Sequence, residues 1–260
     1  CALPISILYI RKARTMRITF LGASHGVPEA HRKCSCAMIT LGAGQDAVRY
    51  FVDMGVMAID WMRTAGIPVS SARAIFITHM HGDHTNGLPH FVDLCSWYFK
   101  DANPTVFLPE EEAIPALSGW LAANGTSLRE EIRCEITHDG VIYSDGLLTV
   151  TAFRTRHCRT SYAYLVEAEG KRVLFTGDLS HKGPADDFPR ATLADGLDLA
   201  ICESAHFPAT EYAPLFAENP PRHVVINHYQ PRLYPSICAL AEALAPTPVD
   251  AATDDWTIEL

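Results

Sequence analysis

The stretch ARAIFITHMHGDHTNG, residues 72–87, carries the strongest chemical signal in this chain. It begins with an apolar run, ARAIFI, that is typical of a buried strand. Four side chains of the kind that bind metals follow this run, at His79, His81, Asp83 and His84. A polar loop also collects histidines, so the rest of the sequence must distinguish a loop from a metal site.

The composition is that of an ordinary globular protein. The 260 residues are 48% hydrophobic and 20% charged, and no apolar run reaches the roughly 20 residues that cross a bilayer. The net charge of -9 argues against a broad nucleic-acid-binding face, which should be basic. Several of the eight cysteines lie in apolar segments and do not form a dense disulfide framework, which predicts a reducing, cytoplasmic compartment.

The first residues differ from the rest of the chain. The segment CALPISILYIRKAR precedes Met16, and a strand-like run, RITFLG, begins directly after that methionine. Its positive charges follow the apolar stretch, whereas a signal peptide has them in front. We therefore expect residues 1–15 to be a non-native or disordered leader and residues 16–260 to form a single domain.

Strand-like and helix-like runs occur in the same order in both halves of the chain. The predicted strands are 17–22, 36–41, 47–53, 72–78, 104–108, 147–155, 161–168, 172–177, 198–203 and 223–227. The predicted helices are 56–66, 88–100, 109–123, 208–218 and 235–245. This order predicts an α/β fold in which two β-sheets pack face to face with helices outside.

Three further strand-like runs end in a ligand-type residue, at His157, Asp178 and His228. Loops gather at the carboxyl ends of packed strands, and binding sites form there. In extended backbone, residues two apart point the same way, so His79 and His81 can share one ion. We expect His157 to complete a three-histidine set with them.

The remaining ligand-type residues suit a second ion. Asp83 and His84 lie beyond a turn and can reach that ion together with His228, while the two oxygens of Asp178 can bridge both ions. Imidazole and carboxylate ligands favour zinc and also accept manganese or iron. Two ions about 3.5–4 Å apart can activate a shared water and hold a phosphoryl or carbonyl oxygen.

The order of these motifs resembles that of the metallo-β-lactamase-fold hydrolases. THMHGDH matches their H-x-H-x-D-H signature, and His157, the GD at 177–178 and the His228 of INHYQP match their later motifs in order. The resemblance extends from about residue 17 to the C-terminus. It implies a four-layer αβ/βα sandwich with two divalent metal ions, both ligand sets being complete.

Two segments resemble one branch of these hydrolases in particular. RITFLGASHGVP (17–28) resembles the opening of ribonuclease Z and of the carbon–phosphorus lyase cyclic phosphodiesterases, and FITHMHGDHTNGLPHFVD (76–93) resembles ribonuclease Z. This implies a phosphodiesterase that uses a metal-bridging hydroxide. Its substrate would be a small cyclic or nucleotide-like diester, or an RNA 3′ end. Relatives of this kind are often dimers, so a homodimer is one option.

The resemblance to ribonuclease Z has one departure that concerns tRNA. Ribonuclease Z enzymes usually carry a flexible arm that grips tRNA, but only a short segment separates His157 from Gly177. We therefore expect no such arm there, and tRNA remains an unsupported alternative substrate.

Further side chains are candidates for chemistry or positioning. In ribonuclease Z-like enzymes a Glu–His pair protonates the leaving oxygen, which implies that His206 acts as the acid and Glu203 orients it; a capping turn is the alternative. Asp83 can also accept a proton from the attacking water. Asp53 either orients a metal-bound histidine or caps a helix, and His25 either contacts the substrate phosphate or is a surface histidine.

Other cysteines and histidines receive no functional role. Relatives carry C-x-C-x-x-C for an extra structural zinc, but here Cys34 and Cys36 are followed by Ile39 in the third position, so that zinc is not expected. Cys158 is predicted to be structural. We expect solvent contacts or structural hydrogen bonds for the remaining histidines: His31, His90, His138, His181 and His223.

Two other activities remain open from the sequence. The same metal centre can hydrolyse a lactone, ester or thioester, because fold alone does not determine chemistry. A diiron redox module is the third hypothesis. Diiron relatives usually have a carboxylate at the position of His81, which argues against this alternative.

Overall fold

The apolar runs become the strands of two seven-stranded sheets in a computed structural model that describes residues 15–260. The predicted leader lies outside the described residues apart from Thr15, and so stays a prediction. Among residues 15–260, no helix has the length and apolar character that crossing a membrane requires.

The strands of the first half are β1 (Met16–Gly22), β2 (Cys36–Leu41), β3 (Val48–Val52), β4 (Ala72–Phe76), β5 (Thr105–Leu108), β6 (Cys134–Ile136) and β7 (Gly140–Ser144). Those of the second half are β8 (Leu148–Thr155), β9 (Ser161–Ala168), β10 (Lys171–Phe175), β11 (Leu199–Ser204), β12 (Val224–Tyr229), β13 (Val249–Ala251) and β14 (Trp256–Glu259).

The two sheets have the same mixed pattern of strand directions. The first has the order β14-β1-β2-β3-β4-β5-β6, and the second has the order β13-β12-β11-β10-β9-β8-β7. In the first sheet, pairing is antiparallel from β14 to β3 and parallel from β3 to β6. In the second, it is antiparallel from β7 to β10 and parallel from β10 to β13.

The helices cover the outer faces of the sheets. They are α1 (Ala58–Thr64), α2 (Gly82–Thr85), α3 (Leu88–Trp97), α4 (Ala113–Ala123), α5 (Ala191–Ala194), α6 (Ala213–Phe216) and α7 (Tyr234–Leu244). Helices α1, α3 and α4 pack with the first sheet in one apolar cluster, and α6 and α7 pack with the second sheet in another.

A third apolar cluster lies between the two sheets. It joins side chains of the first sheet, such as Phe20 and Phe76, to side chains of the second, such as Tyr164 and Phe175. The rings of Phe76 and Tyr164 are 5.8 Å apart across this interface. Helix, sheet, sheet and helix therefore form four layers, which confirms the predicted sandwich.

The differences from the predicted elements lie mainly at the sheet edges. The outermost strands of the two sheets were not predicted; they are β6, β7, β13 and β14. These strands are short or largely exposed, so they lack the apolar pattern of a buried strand.

Four predicted helices were too long. Those predicted at 56–66 and 88–100 are shortened to α1 (Ala58–Thr64) and α3 (Leu88–Trp97). The helix predicted at 109–123 begins only at Ala113, after a turn. The helix predicted at 208–218 divides into a 3-10 turn and α6, whose second residue, Pro214, has no backbone N–H to donate.

The ligand-type residues of the first sheet come where its parallel strands end, with Asp53 after β3 and His79 shortly after β4. In the second sheet, Asp178 follows β10, Glu203 lies near the end of β11, and His228 lies near the end of β12. The carboxyl ends of parallel strands meet at one edge of a sheet, so this topology brings distant parts of the chain together.

Candidate metal centre

One set of ligand atoms consists of three histidine nitrogens. Nε2 of His79 lies 3.0 Å from Nδ1 of His81, and Nε2 of His157 lies 3.2 Å from the same atom. Nitrogens bound tetrahedrally to one zinc ion at about 2.0–2.1 Å are roughly 3.3 Å apart. These two distances are thus close to the spacing that a single ion requires, and all three nitrogens lie within 4.8 Å of one another.

A second set of ligand atoms lies beside the first. Oδ2 of Asp83 is 3.3 Å from Nε2 of His84 and 3.6 Å from Nε2 of His228. These three side chains converge on one point, as do His79, His84 and Asp178. The first and second sets are the two predicted from the sequence.

Asp178 lies between the two sets. Its Oδ2 is 3.8 Å from Nε2 of His79 and 3.7 Å from Nε2 of His157, both in the first set. Its Oδ1 is 3.5 Å from Nε2 of His84, and its Oδ2 is 3.3 Å from Nε2 of His228, both in the second set. The carboxylate is therefore in the position of a bridging ligand.

Two atoms of the centre are buried without a hydrogen-bond partner: Nε2 of His84 and Oδ1 of Asp178. A buried polar atom without a partner is costly, and metal coordination satisfies such atoms. This finding, together with the geometry of the donors, shows that the residues present fit a pair of divalent cations. The His/Asp clusters are thus consistent with a dinuclear metal site.

The orientation of the rings also fits metal binding. Metal-binding histidines usually bond their second nitrogen to an oxygen, which fixes the ring. In four of the imidazoles Nδ1 has such a partner, so Nε2 points at the centre. The pairs are His79 with Thr78 Oγ1 at 3.1 Å, His84 with Asp53 Oδ2 at 2.7 Å, His157 with Leu179 O at 3.2 Å, and His228 with Ser24 O at 2.9 Å.

Asp53 has the positioning contacts that one of its two predicted roles requires. Its carboxylate accepts hydrogen bonds from the backbone N–H and the hydroxyl of Thr78, and it contacts His84. Its φ of 60° is rare for a residue other than glycine. The helix-cap alternative does not describe this residue, because the N-cap of α1 is Met57.

The protonation states of most candidate ligands suit a cation. Burial, followed by the charge of His84, lowers the pKa of His79 to about 2. Burial lowers the pKa of His157 to about 4, although Asp178 opposes this. Burial tends to raise the pKa of Asp83, but hydrogen bonding and charge from His84 outweigh it and lower the pKa. Neutral imidazoles and ionised carboxylates are the forms that bind metals.

His84 differs from the other imidazoles. Burial tends to lower its pKa, but the charges of Asp53 and Asp178 outweigh burial and raise the pKa well above its ordinary value. A proton on His84 therefore balances the two buried carboxylates. A divalent cation would replace that proton, as metal binding to histidine generally does.

Glu203 and His206 lie next to the centre. Oε1 of Glu203 is 2.9 Å from Nδ1 of His206, and Nε2 of His206 is 3.9 Å from Oδ2 of Asp178. Glu203 also accepts hydrogen bonds from the backbone N–H groups of Ala205 and His206, as a capping turn would. The two interpretations made from the sequence are therefore compatible.

His25 lies in a loop that touches the centre. Its neighbour Ser24 accepts the contact from His228, and a Cβ added to Gly26 would lie 3.3 Å from Oδ2 of Asp83. The His25 ring itself contacts the carboxylate of Glu29 at 2.9 Å. The loop therefore borders the centre, while the predicted phosphate contact of His25 stays a prediction.

Two residues at the centre were not predicted to belong to it: His181, for which only solvent or structural contacts were expected, and Asp187. The ring centroid of His181 is 4.2 Å from that of His206 and 5.5 Å from that of His157. The buried carboxylate of Asp187 accepts hydrogen bonds at 2.7 Å from the backbone N–H groups of Arg156 and Ser180, which lie next to ligand residues. Only the position of His181, three residues after Asp178, hinted at its location.

The two early cysteines belong to none of the candidate metal-binding clusters found in residues 15–260, since those clusters contain only histidines and aspartates. Both thiols are free, and burial raises the pKa of Cys34 and Cys36. The expectation that this pair holds no extra structural zinc stays a prediction.

Comparison with known proteins identifies the family. A family model described as "Anti-Pycsar protein Apyc1" matches residues 16–211, well over half of the chain. The chain belongs to the Anti-Pycsar Apyc1 family. The matched region includes every candidate ligand described above except His228.

Ribonuclease Z enzymes are also related to this protein. Ribonuclease Z of Listeria monocytogenes is 31% identical over 157 residues, which is 60% of this chain and 51% of that protein. The chain therefore spans about half the length of the curated relatives it matches. The predicted resemblance to ribonuclease Z is confirmed as a distant relationship.

Solved structures support the fold assignment for this family member. The metallo-β-lactamase fold protein YhfI from Bacillus subtilis has a TM-score of 0.74 and 17% identity, with 95% of this chain and 100% of that chain covered. The short form of human tRNase Z has a TM-score of 0.70 and 18% identity, with 93% and 98% covered. These similarities establish the metallo-β-lactamase fold.

Proposed function

We propose that this protein is a dinuclear metal-dependent phosphodiesterase that acts on small cyclic nucleotide-like diesters. The observation that carries the proposal is the sharing of Asp178 by two ligand sets. Membership of the Anti-Pycsar Apyc1 family and similarity to ribonuclease Z support a phosphodiester substrate. An RNA 3′ end is the alternative phosphodiester.

Two divalent cations are the implied cofactors. His79, His81 and His157 would hold one cation, while Asp83, His84 and His228 would hold the other and Asp178 would contact both. Zinc is our first choice, and manganese or iron suits the same donors. When bound, such a pair supplies an activated water and positive charge for the phosphoryl oxygens.

Side chains of the protein would accept and donate the protons of the reaction. Oδ2 of Asp83 lies on the second ligand set, and the other oxygen of this carboxylate can accept a proton from the attacking water. Nε2 of His206 lies 3.9 Å from Asp178 and can donate a proton to the leaving oxygen. The Glu203 carboxylate, 2.9 Å from Nδ1 of His206, keeps this ring in place. Such general acid catalysis typically contributes a factor of about 10²–10⁴.

The choice of a small diester over tRNA follows from charge and chain length. The net charge of -9 gives no broad attraction to nucleic acid. The chain from His157 to Asp178 is occupied by β9 and β10 and their short connections, so it holds no long arm. The homodimer and the cytoplasmic location remain predictions.

The test is hydrolysis by zinc-loaded protein of bis(p-nitrophenyl) phosphate and of a panel of 3′,5′-cyclic nucleotides. Asp178→Asn should abolish the activity, because it removes the charge shared by both ligand sets. Asp186→Asn is the matched control, since this aspartate is exposed on the same loop and should leave the rate unchanged. A loaded wild type that leaves all diesters intact but opens lactones or thioesters would overturn the proposal.

A further inference from the structure

A third group of imidazoles lies on the solvent side of the centre. Ligand nitrogens of His157, His181 and His206 all lie within 4.8 Å of one another. His157 also belongs to the first ligand set, while His181 and His206 belong to neither of the two sets. The outer pair, defined as His181 and His206, is therefore a candidate site in its own right.

The ring of His206 is oriented as metal-binding histidines are. Its Nδ1 is 2.9 Å from Oε1 of Glu203, which leaves Nε2 directed towards the centre. Glu203 is itself buried and also accepts a hydrogen bond from the backbone N–H of Leu179. A carboxylate, a histidine and a metal in this order are a recurrent arrangement at zinc sites.

His181 is held beside His206 by a fixed turn. The backbone N–H of Ser180 donates to the buried carboxylate of Asp187 at 2.7 Å, and the N–H of Gly183 donates to the carbonyl of Ser180 at 2.9 Å. These bonds fix the backbone on both sides of His181, whose side chain is exposed. Its ring meets that of His206 edge-on, at an interplanar angle of 84°.

We propose that the outer pair, with His157 at its inner corner, binds an additional zinc ion that inhibits the enzyme. The inhibition rests on the proposed function, because it works by occupying Nε2 of His206, the atom assigned there as proton donor. Binding of the ion itself does not depend on the nature of the substrate. His181 has no part in the proposed reaction and serves only this site.

The outer pair should bind zinc only after the two inner ligand sets have bound their ions. The inner sets contain the carboxylates of Asp83 and Asp178, whereas the outer pair offers only imidazoles and is more exposed. Once the inner ions are bound, their positive charge opposes a further cation. His157 is then bound to an inner ion, so water molecules must complete the coordination of the additional zinc ion. Inhibition is therefore expected only with zinc in excess over the two tightly bound ions.

The binding experiment is a zinc titration of metal-stripped protein, followed by equilibrium dialysis and elemental analysis. Wild type should bind two ions tightly and a third more weakly. His181→Gln should lose the third ion only, and His181→Cys should restore it, because a thiolate is a good zinc ligand. His223→Ala is the control, since this half-buried histidine directly precedes β12, whereas His228 lies near the other end of that strand.

The activity experiment follows hydrolysis of a 3′,5′-cyclic nucleotide over the same zinc range, because its sugar oxygen needs the proton of His206 when it leaves. Wild type, His181→Cys and His223→Ala should lose activity as zinc exceeds two equivalents, whereas His181→Gln should keep its full rate. If His181→Gln binds the third ion or is inhibited like wild type, the proposal is overturned. If no diester is hydrolysed, the proposed function fails, yet loss of the third ion in His181→Gln would still establish the outer site.

Discussion

Oδ2 of Asp53 lies 2.7 Å from Nδ1 of His84, and both side chains are almost completely buried. The same carboxylate accepts hydrogen bonds from Thr78, the residue that precedes His79. One side chain therefore fixes the ring of a ligand in the second set and the backbone next to a ligand in the first. Its unusual φ is the conformation that allows both contacts.

Replacing Asp53 by asparagine should weaken metal binding. The asparagine amide is neutral, and only its oxygen can accept a hydrogen bond. Either His84 or Thr78 therefore loses its hydrogen-bond acceptor. Loss of such an orienting group typically costs about 10–100-fold in metal affinity. Competition with a chelator measures the change. Asp60→Asn, at an exposed position of α1, should bind zinc as wild type does, and an equal affinity in Asp53→Asn would contradict this role.

Replacing His206 by glutamine should slow turnover by a factor that depends on the leaving group of the substrate. A sugar hydroxyl needs a proton when it leaves, so kcat for a cyclic nucleotide should fall by about 10²–10⁴. The p-nitrophenolate ion leaves without a proton, so the loss with bis(p-nitrophenyl) phosphate should be much smaller. Both inner ions should remain bound. Equal losses with the two substrates would show that His206 does not act as the acid.

Replacing Glu203 by glutamine should shift the pH profile. Burial tends to lower the pKa of His206, but the hydrogen bond and charge of Glu203, with the charge of Asp178, outweigh burial and raise it. The donor must be protonated, so the rate falls as pH rises through this pKa. A neutral glutamine removes part of the upward shift in the pKa of His206. The alkaline limb of the pH profile of kcat should therefore move to lower pH. A limb that stays in place would contradict the pairing of these residues.

Two glycines should respond to alanine in opposite directions. A Cβ at Gly55 would lie 1.8 Å from the backbone oxygen of Asp83, so Gly55→Ala must displace the loop that carries this ligand. We expect a lower melting temperature and weaker metal binding. Gly119 lies inside α4 with no atom within 4 Å of an added Cβ, so Gly119→Ala should stabilise the protein by about 0.5–1 kcal/mol. Thermal unfolding in chelator compares the two variants.

The central strands and the ligand residues were predictable for the same reason. Each candidate ligand follows an apolar run, and in a parallel sheet such runs end at one edge. The positions of Asp178 and His228 thus depend on local patterns together with a general rule of topology. The edge strands β7 and β14 were not predictable, because their side chains are largely exposed and their pairing depends on neighbours distant in the chain.

The positioning contacts could not be derived from the sequence. Asp187 acts through the backbone N–H groups of Ser180, in its own loop, and of Arg156, which is distant in sequence, and no local pattern marks such contacts. His181 resembled any exposed loop histidine until the fold placed its ring 4.2 Å from that of His206. Asp53 was ambiguous because a carboxylate between a strand and a helix equally suits a cap.

Anomalous diffraction from zinc-loaded crystals tests the two-ion centre most directly. The predicted result is one zinc peak about 2.0–2.1 Å from the nitrogens of His79, His81 and His157, and a second peak next to Asp83, His84 and His228, with Asp178 in contact with both. A single peak, or no peak beside one of the two ligand sets in protein shown to hold two ions, would contradict the account.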